Sequence, residues 1–163
     1  MSEQINLDFW LWLLLHHSHS AINKVSRKEL VQYGITLPQL AVLREVLRLR
    51  ENATPAELAR QLFLESHSVS EQLKRMEEEG LISKVKDLGR KNLVRIKVTE
   101  KGHKFLDKAN NRKSIRYLMS VLTEEEKLEL WTIMAKLRGQ AAKRLGMKIE
   151  LYPPSDPTTL TDL

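Results

Sequence analysis

Apolar residues recur at three- and four-residue steps from the start of the chain. Trp10, Leu11, Leu14, Leu15, Ala21, Ile22 and Val25 follow that spacing and predict a helix over 7–33. Three later helix starts carry the capping-box pattern, in which a hydroxyl and the residue three places on satisfy N–H groups that a helix leaves unpaired. They are Thr36 with Gln39, Thr54 with Glu57, and Thr123 with Glu126, and they predict helices near 37–50, 55–62 and 124–145. Pro38 and Pro55 fall in the first turns, where a missing N–H costs nothing. The stretch 66–79 places Val69, Leu73 and Met76 on one face and reads as a helix closed by Gly80, a residue suited to the left-handed position after a helix. Residues 81–86 and 93–98 are alternating, β-branched runs joined by the polar loop 87–92, which predicts a hairpin. Thr99 opens a helix expected over 103–122, with Phe105, Leu106, Ala109, Leu118 and Leu122 inward. Pro153, Pro154 and Pro157 make 151–163 an irregular tail.

A short helix, a tight turn and a second helix followed at once by a hairpin is the winged helix-turn-helix arrangement. The expected fold is mainly α with a small β-wing. On helix 66–79 the side opposite the apolar face carries His67, Ser70, Glu71 and Lys74, flanked by Ser68 and Arg75. Small hydrogen-bonding residues at the N-terminal end suit entry into a major groove. Alone, such a face is more often merely solvated. The hairpin shifts the balance, because Lys84, Lys86, Arg90, Lys91, Arg95 and Lys97 crowd into it against one acid, Asp87. That charge fits a polyanion and a hairpin tip fits a minor groove. Contacts to double-stranded DNA are therefore expected from Ser66, His67, Ser68, Ser70, Lys74, Arg75, Lys86, Arg90 and Lys91. The formal charge of +6 agrees with a polyanionic partner.

The run from Glu57 to Gly102 resembles the MarR family of bacterial and archaeal regulators. The resemblance is carried by Glu57-Leu58-Ala59, Ser68-Val69-Ser70, Glu78-Glu79-Gly80-Leu81-Ile82 and Thr99-Glu100-Lys101-Gly102, and the flanking helices extend it to residues 7–146. It implies a homodimer whose N- and C-terminal helices interleave, a recognition helix at 66–79, and a wing that meets DNA through its basic tip. In many members it also implies an anionic or phenolic effector bound between the dimerisation helices and the DNA-binding lobe; here His16, His19 and Arg44 are the candidates by that analogy. Two positions depart from the family. Arg90 and Lys91 stand where an Asp-Arg pair is usual at the wing tip, and Glu71 stands where a basic residue is frequent.

The resulting plan is a single domain over 1–163, with a DNA-binding lobe at 36–99 and dimerisation helices at 7–33 and 103–146. Apolar stripes beyond the needs of a small lobe support an intermolecular interface: Leu128, Leu130, Trp131, Met134, Leu137, Ala141 and Leu145 on one helix, Trp10 and Trp12 with their leucines on another. His16, His17 and His19 lack the ligand count of a metal site, and no metal or cofactor is expected. The absence of cysteine excludes disulfides, thiolate catalysis and thiol sensing within the chain. Phe9 to Leu15 is far shorter than the roughly 18 apolar residues of a membrane span and lacks a basic leader, so a cytoplasmic location is expected. No phosphate loop or nucleophile elbow points to an enzyme. The expected function is a sequence-specific transcriptional regulator, a homodimeric repressor on a pseudo-palindromic operator; the alternative is a winged-helix module that binds protein or RNA without operator specificity.

Overall fold

The computed structural model describes residues 6–86, 93–110 and 112–149. The elements run α1 (Leu7–Gln32), α2 (Leu37–Leu49), a 3-10 turn (Arg50–Asn52), α3 (Pro55–Leu62), α4 (Ser66–Glu78), β1 (Ile82–Lys86), β2 (Val94–Val98), α5 (Glu100–Asn110), α6 (Lys113–Met119) and α7 (Glu124–Arg144). The mainly helical fold with a small antiparallel wing matches the sequence reading. No helix among the described residues is long and apolar enough to cross a membrane.

Local signals set most of the helix ends. Full capping boxes form at Thr36 with Gln39 and at Thr123 with Glu126. At α3 only half of one forms: the Thr54 hydroxyl accepts from the Glu57 N–H, while the Glu57 carboxylate turns to Arg60 and Gln61. Gly80 closes α4 at φ +72°, its N–H bonding to the Glu77 carbonyl and the Leu81 N–H to the Met76 carbonyl. That paired geometry needs a left-handed residue, which glycine adopts without a Cβ penalty.

The core lies between α2, α3, α4 and the wing. Leu43 and Val46 of α2 meet Leu58 of α3, Val69, Leu73 and Met76 of α4, and Ile82 and Ile96 of the two strands, all buried. Leu30 at the C-terminal end of α1 and Ile35 just beyond it belong to the same cluster. Gly102 brings α5 against the root of the wing so closely that an added Cβ would sit 2.3 Å from the Leu81 carbonyl oxygen and 2.7 Å from Val98 Cγ1.

The single helix expected over 103–122 is two. The break after Asn110 is held from elsewhere in the chain. Glu29 of α1 accepts from the N–H groups of Lys113 (2.9 Å) and Ser114 (3.1 Å) and from the Ser114 hydroxyl, so it caps α6. Arg112 donates to the Ala109 carbonyl at the end of α5, 2.9 Å. Both ends of the break are thus paired, and no continuous helix is needed to satisfy them. Leu106 and Ala109 are buried as expected, whereas Phe105, Leu118 and Leu122 are half-buried. The tail 151–163 lies outside the described residues.

Candidate nucleic-acid interface

Helix α4 is anchored by Val69, Leu73 and Met76, each with no exposed surface. Apolar residues at i, i+4 and i+7 fix the rotation of the helix, and that rotation decides what faces out. Ser66, His67, Ser70, Glu71, Lys74 and Arg75 are exposed, and Ser68 is half-buried. Ser70 donates its hydroxyl hydrogen to the Ser66 carbonyl at 2.9 Å, and Ser68 Oγ lies 3.3 Å from His67 Nε2. The N-cap residue is Glu65, whose side chain makes no capping bond.

The turn before α4 is held from α7. Phe63 takes a left-handed backbone, φ +55°, at the end of α3, and the Leu64 N–H reaches back to the Ala59 carbonyl at 2.9 Å. Arg138 of α7 lies over the Phe63 ring at 5.4 Å and donates to the carbonyl of buried Gln61 at 3.0 Å. The pattern of the sequence carries no sign of this link, because a cation on a long helix ordinarily reads as solvated.

The wing pairs Ile82 with Val98, Lys84 with Ile96 and Lys86 with Val94 on one face, and Ser83 with Lys97 and Val85 with Arg95 on the other. The described basic residues are therefore divided between two faces rather than gathered on one. Lys84 is committed to α4: its ammonium lies 2.8 Å from Glu77, whose other oxygen accepts from the Lys84 N–H. The hydrogen bond from the Lys84 side chain holds the Glu77 carboxyl below its usual value, against the opposing effect of burial. Arg95 faces Glu51 at 3.8 Å. Lys86 and Lys97 are exposed. Asp87, Arg90 and Lys91, the expected tip, lie outside the described residues.

The three candidate effector residues fall in different neighbourhoods. His16 and His19 are exposed on α1, where His16 stacks on Trp12 and His19 bonds to Asn23 at 2.8 Å. Arg44 is half-buried on α2 and donates to the Asn110 side chain. Burial, and secondarily the neighbouring Arg112, push the Arg44 guanidinium below its ordinary value. Arg112 is lowered by its own burial and supported by Glu29. His19 precedes Glu29 by ten residues, roughly 15 Å of helix axis at 1.5 Å per residue.

The lobe matches the model of the MarR family over residues 33–96. The chain is 32% identical to the organic hydroperoxide resistance transcriptional regulator of Bacillus subtilis over 107 residues, 66% of this chain and 72% of that one. Among solved structures, the organohalide-sensing transcriptional regulator RdhR-CbdbA1625 in its ligand-free form superposes with a TM-score of 0.78 at 32% identity, covering 94% of this chain and 93% of its own. The same protein bound to 2,4-dichlorophenol gives 0.75 at 31% identity, covering 94% and 92%. A mutant MarR from E. coli complexed with operator DNA shares the fold, with a TM-score of 0.70 at 22% identity over 83% of this chain and 99% of its own.

Proposed function

The chain belongs to the MarR family of transcriptional regulators, and we propose that it acts as a homodimeric repressor on a pseudo-palindromic operator, released by a small aromatic effector. The observation that carries the reading is the rotation of α4. Its apolar face is fully buried, so His67, Ser70 and Lys74 stand outward together beside a hairpin whose Lys86 is exposed. In this reading Ser66, His67, Ser68, Ser70, Lys74 and Arg75 meet base edges and nearby phosphates, and Lys86, Arg90 and Lys91 follow the backbone or the minor groove. Half-sites would lie about one helical turn, roughly 34–36 Å, apart.

Dimerisation is supported by apolar surface that the single chain leaves in water. On α1, Leu7, Trp10, Trp12 and Leu14 are each more than half exposed; on α7, Leu128, Ile133 and Leu137 are nearly so. A helix apolar on every side, as the first turns of α1 are, belongs in an interior, and a second copy offers a two-fold-related one. The aromatic effector is argued from the relative that binds 2,4-dichlorophenol, with Arg44 as one candidate contact. His16 and His19 lie in a different neighbourhood of the single chain and are contacts only if a second copy brings them near. It would act by favouring a dimer whose recognition helices no longer match the operator spacing.

The test is fluorescence anisotropy on the DNA flanking the protein's own gene, over a salt series with unrelated duplex as competitor. A clear preference for the flanking DNA with a steep log–log salt slope is expected. Absence of binding at low salt would overturn the reading in favour of a protein- or RNA-binding module.

A further inference from the structure

We propose that Glu71 is a specificity-determining residue, selecting a cytosine in each half-site by accepting a hydrogen bond from its N4 amino group. The inference rests on the operator-binding reading above. Glu71 lies two residues after Val69 and two before Leu73, so at about 100° per residue it points almost directly away from both buried anchors. It is exposed, and its carboxylate makes no hydrogen bond or ion pair with any described residue. Two other carboxylates of the helix end are committed. Glu77 holds Lys84, and Glu79 accepts from Gln39 Nε2 at 2.6 Å. Glu78 stands in the last turn, away from the N-terminal half that enters a groove.

An unpaired carboxylate at the outermost point of a recognition helix repels the phosphates on either side unless a base donor meets it. An ionised carboxylate only accepts. In the major groove guanine offers N7 and O6, both acceptors, and thymine offers O4 and a methyl group. Adenine has one donor with the N7 acceptor beside it. Cytosine presents the N4 donor alone on its own edge and is the base a carboxylate fits best. Lys74, one turn further on and also exposed, supplies the complementary donor for guanine O6 and N7. The two side chains together match a C·G pair or the step next to it.

The experiment is selection from a randomised duplex library by the full-length protein and by Glu71→Gln and Glu71→Ala, followed by anisotropy on the selected site and its single-base variants. Wild type is expected to favour cytosine at one position of each half-site by roughly ten-fold or more. Glu71→Gln should move that position alone to adenine, whose N6 and N7 suit an amide. Glu71→Ala should flatten it while tightening binding to unrelated duplex. If both variants select the same bases as wild type, Glu71 reads nothing and the proposal is overturned. If wild type itself selects no sequence, the operator reading falls and the proposal with it.

Discussion

The buried ion pair of α2 offers a direct test of how the winged lobe is held. Glu45 is 1% exposed and Arg48, one turn on, 12%. Two guanidinium nitrogens donate to the same carboxylate oxygen, at 3.0 and 2.5 Å. Removing charges from water is costly, and their attraction offsets that cost only while both are present. Glu45→Ala leaves a guanidinium nearly nine-tenths buried without this acceptor, which should destabilise the fold by roughly 3–5 kcal/mol. Against a total of about 5–15 kcal/mol, that is a large fraction. Replacing both residues, as in Glu45→Leu with Arg48→Met, removes the charges and fills the space with apolar atoms, and should return stability to within about 1 kcal/mol of wild type. Urea unfolding followed by the fluorescence of the three tryptophans measures all the variants at one protein concentration, since dimerisation would make stability concentration-dependent. A loss below about 1 kcal/mol for Glu45→Ala alone, or a double variant as unstable as the single, would refute the argument.

Three further expectations follow from single contacts. Lys86→Ala should lower the log–log salt slope of operator binding by about one, whereas Lys84→Ala should change it far less because its ammonium already pairs with Glu77; equal slopes for the two would contradict this. Gly102→Ala drives a Cβ into the Leu81 carbonyl and should cost more, at the top of the roughly 1–3 kcal/mol of overpacking, than Gly80→Ala, whose Cβ would meet only Lys101 Cδ at an ordinary 4.0 Å and which loses about 1–2 kcal/mol to its left-handed backbone; thermal melts rank the two. Hydrogen bonds from the Ser114 side chain, then from the Lys113 and Ser114 backbone, hold the Glu29 carboxyl below its ordinary 4.5, against burial. Because the folded value is depressed, that stabilisation is complete above the ordinary value and lost as pH falls through the folded one; melting temperature should drop more steeply on acidification in wild type than in Glu29→Gln, and parallel curves would sink the idea.

What the sequence revealed and what it hid divide by distance along the chain. Thr36 with Gln39, Thr123 with Glu126 and the Gly80 closure act within a few residues, and those helix ends were legible before any coordinates. The rotation of α4 was legible too, since Val69, Leu73 and Met76 set it by periodicity alone. The break after Asn110 was not, because its cap is Glu29, 84 residues before Lys113. Wing charge could be counted but its commitments could not. Lys84 finds Glu77 across the α4–β1 turn and Arg95 finds Glu51 in the 3-10 turn beside β2, so the cations free to meet a phosphate are fewer than the composition suggests. Arg44 fitted a generic effector pocket by analogy, while its neighbours Asn110 and Arg112 emerge only when α2, α5 and α6 are brought together.

Two of the long-range contacts bind flanking helices to the lobe that carries α4: Arg44 of α2 to Asn110 of α5, and Arg138 of α7 to Gln61 of α3. Helix α1 has 26 residues, about 39 Å at 1.5 Å each. Its first turns expose aromatic and aliphatic residues, yet Leu30 near its other end is packed in the same core as Val69 and Leu73. A stiff rod anchored that way cannot pivot at its exposed end without disturbing the core beneath the recognition helix, because close-packed interiors transmit displacement rather than absorb it. Helix α7 acts on the same element from the opposite direction. Arg138 grips Gln61 and Phe63, so the left-handed turn that aims α4 is held by a side chain of the flanking helix. In the dimer proposed here both rods would also pack against the second copy, and the angle between subunits and the aim of α4 become one mechanical variable. An effector would then need no contact with the DNA-binding face: differential affinity for one subunit angle is sufficient to move the recognition helices off their spacing.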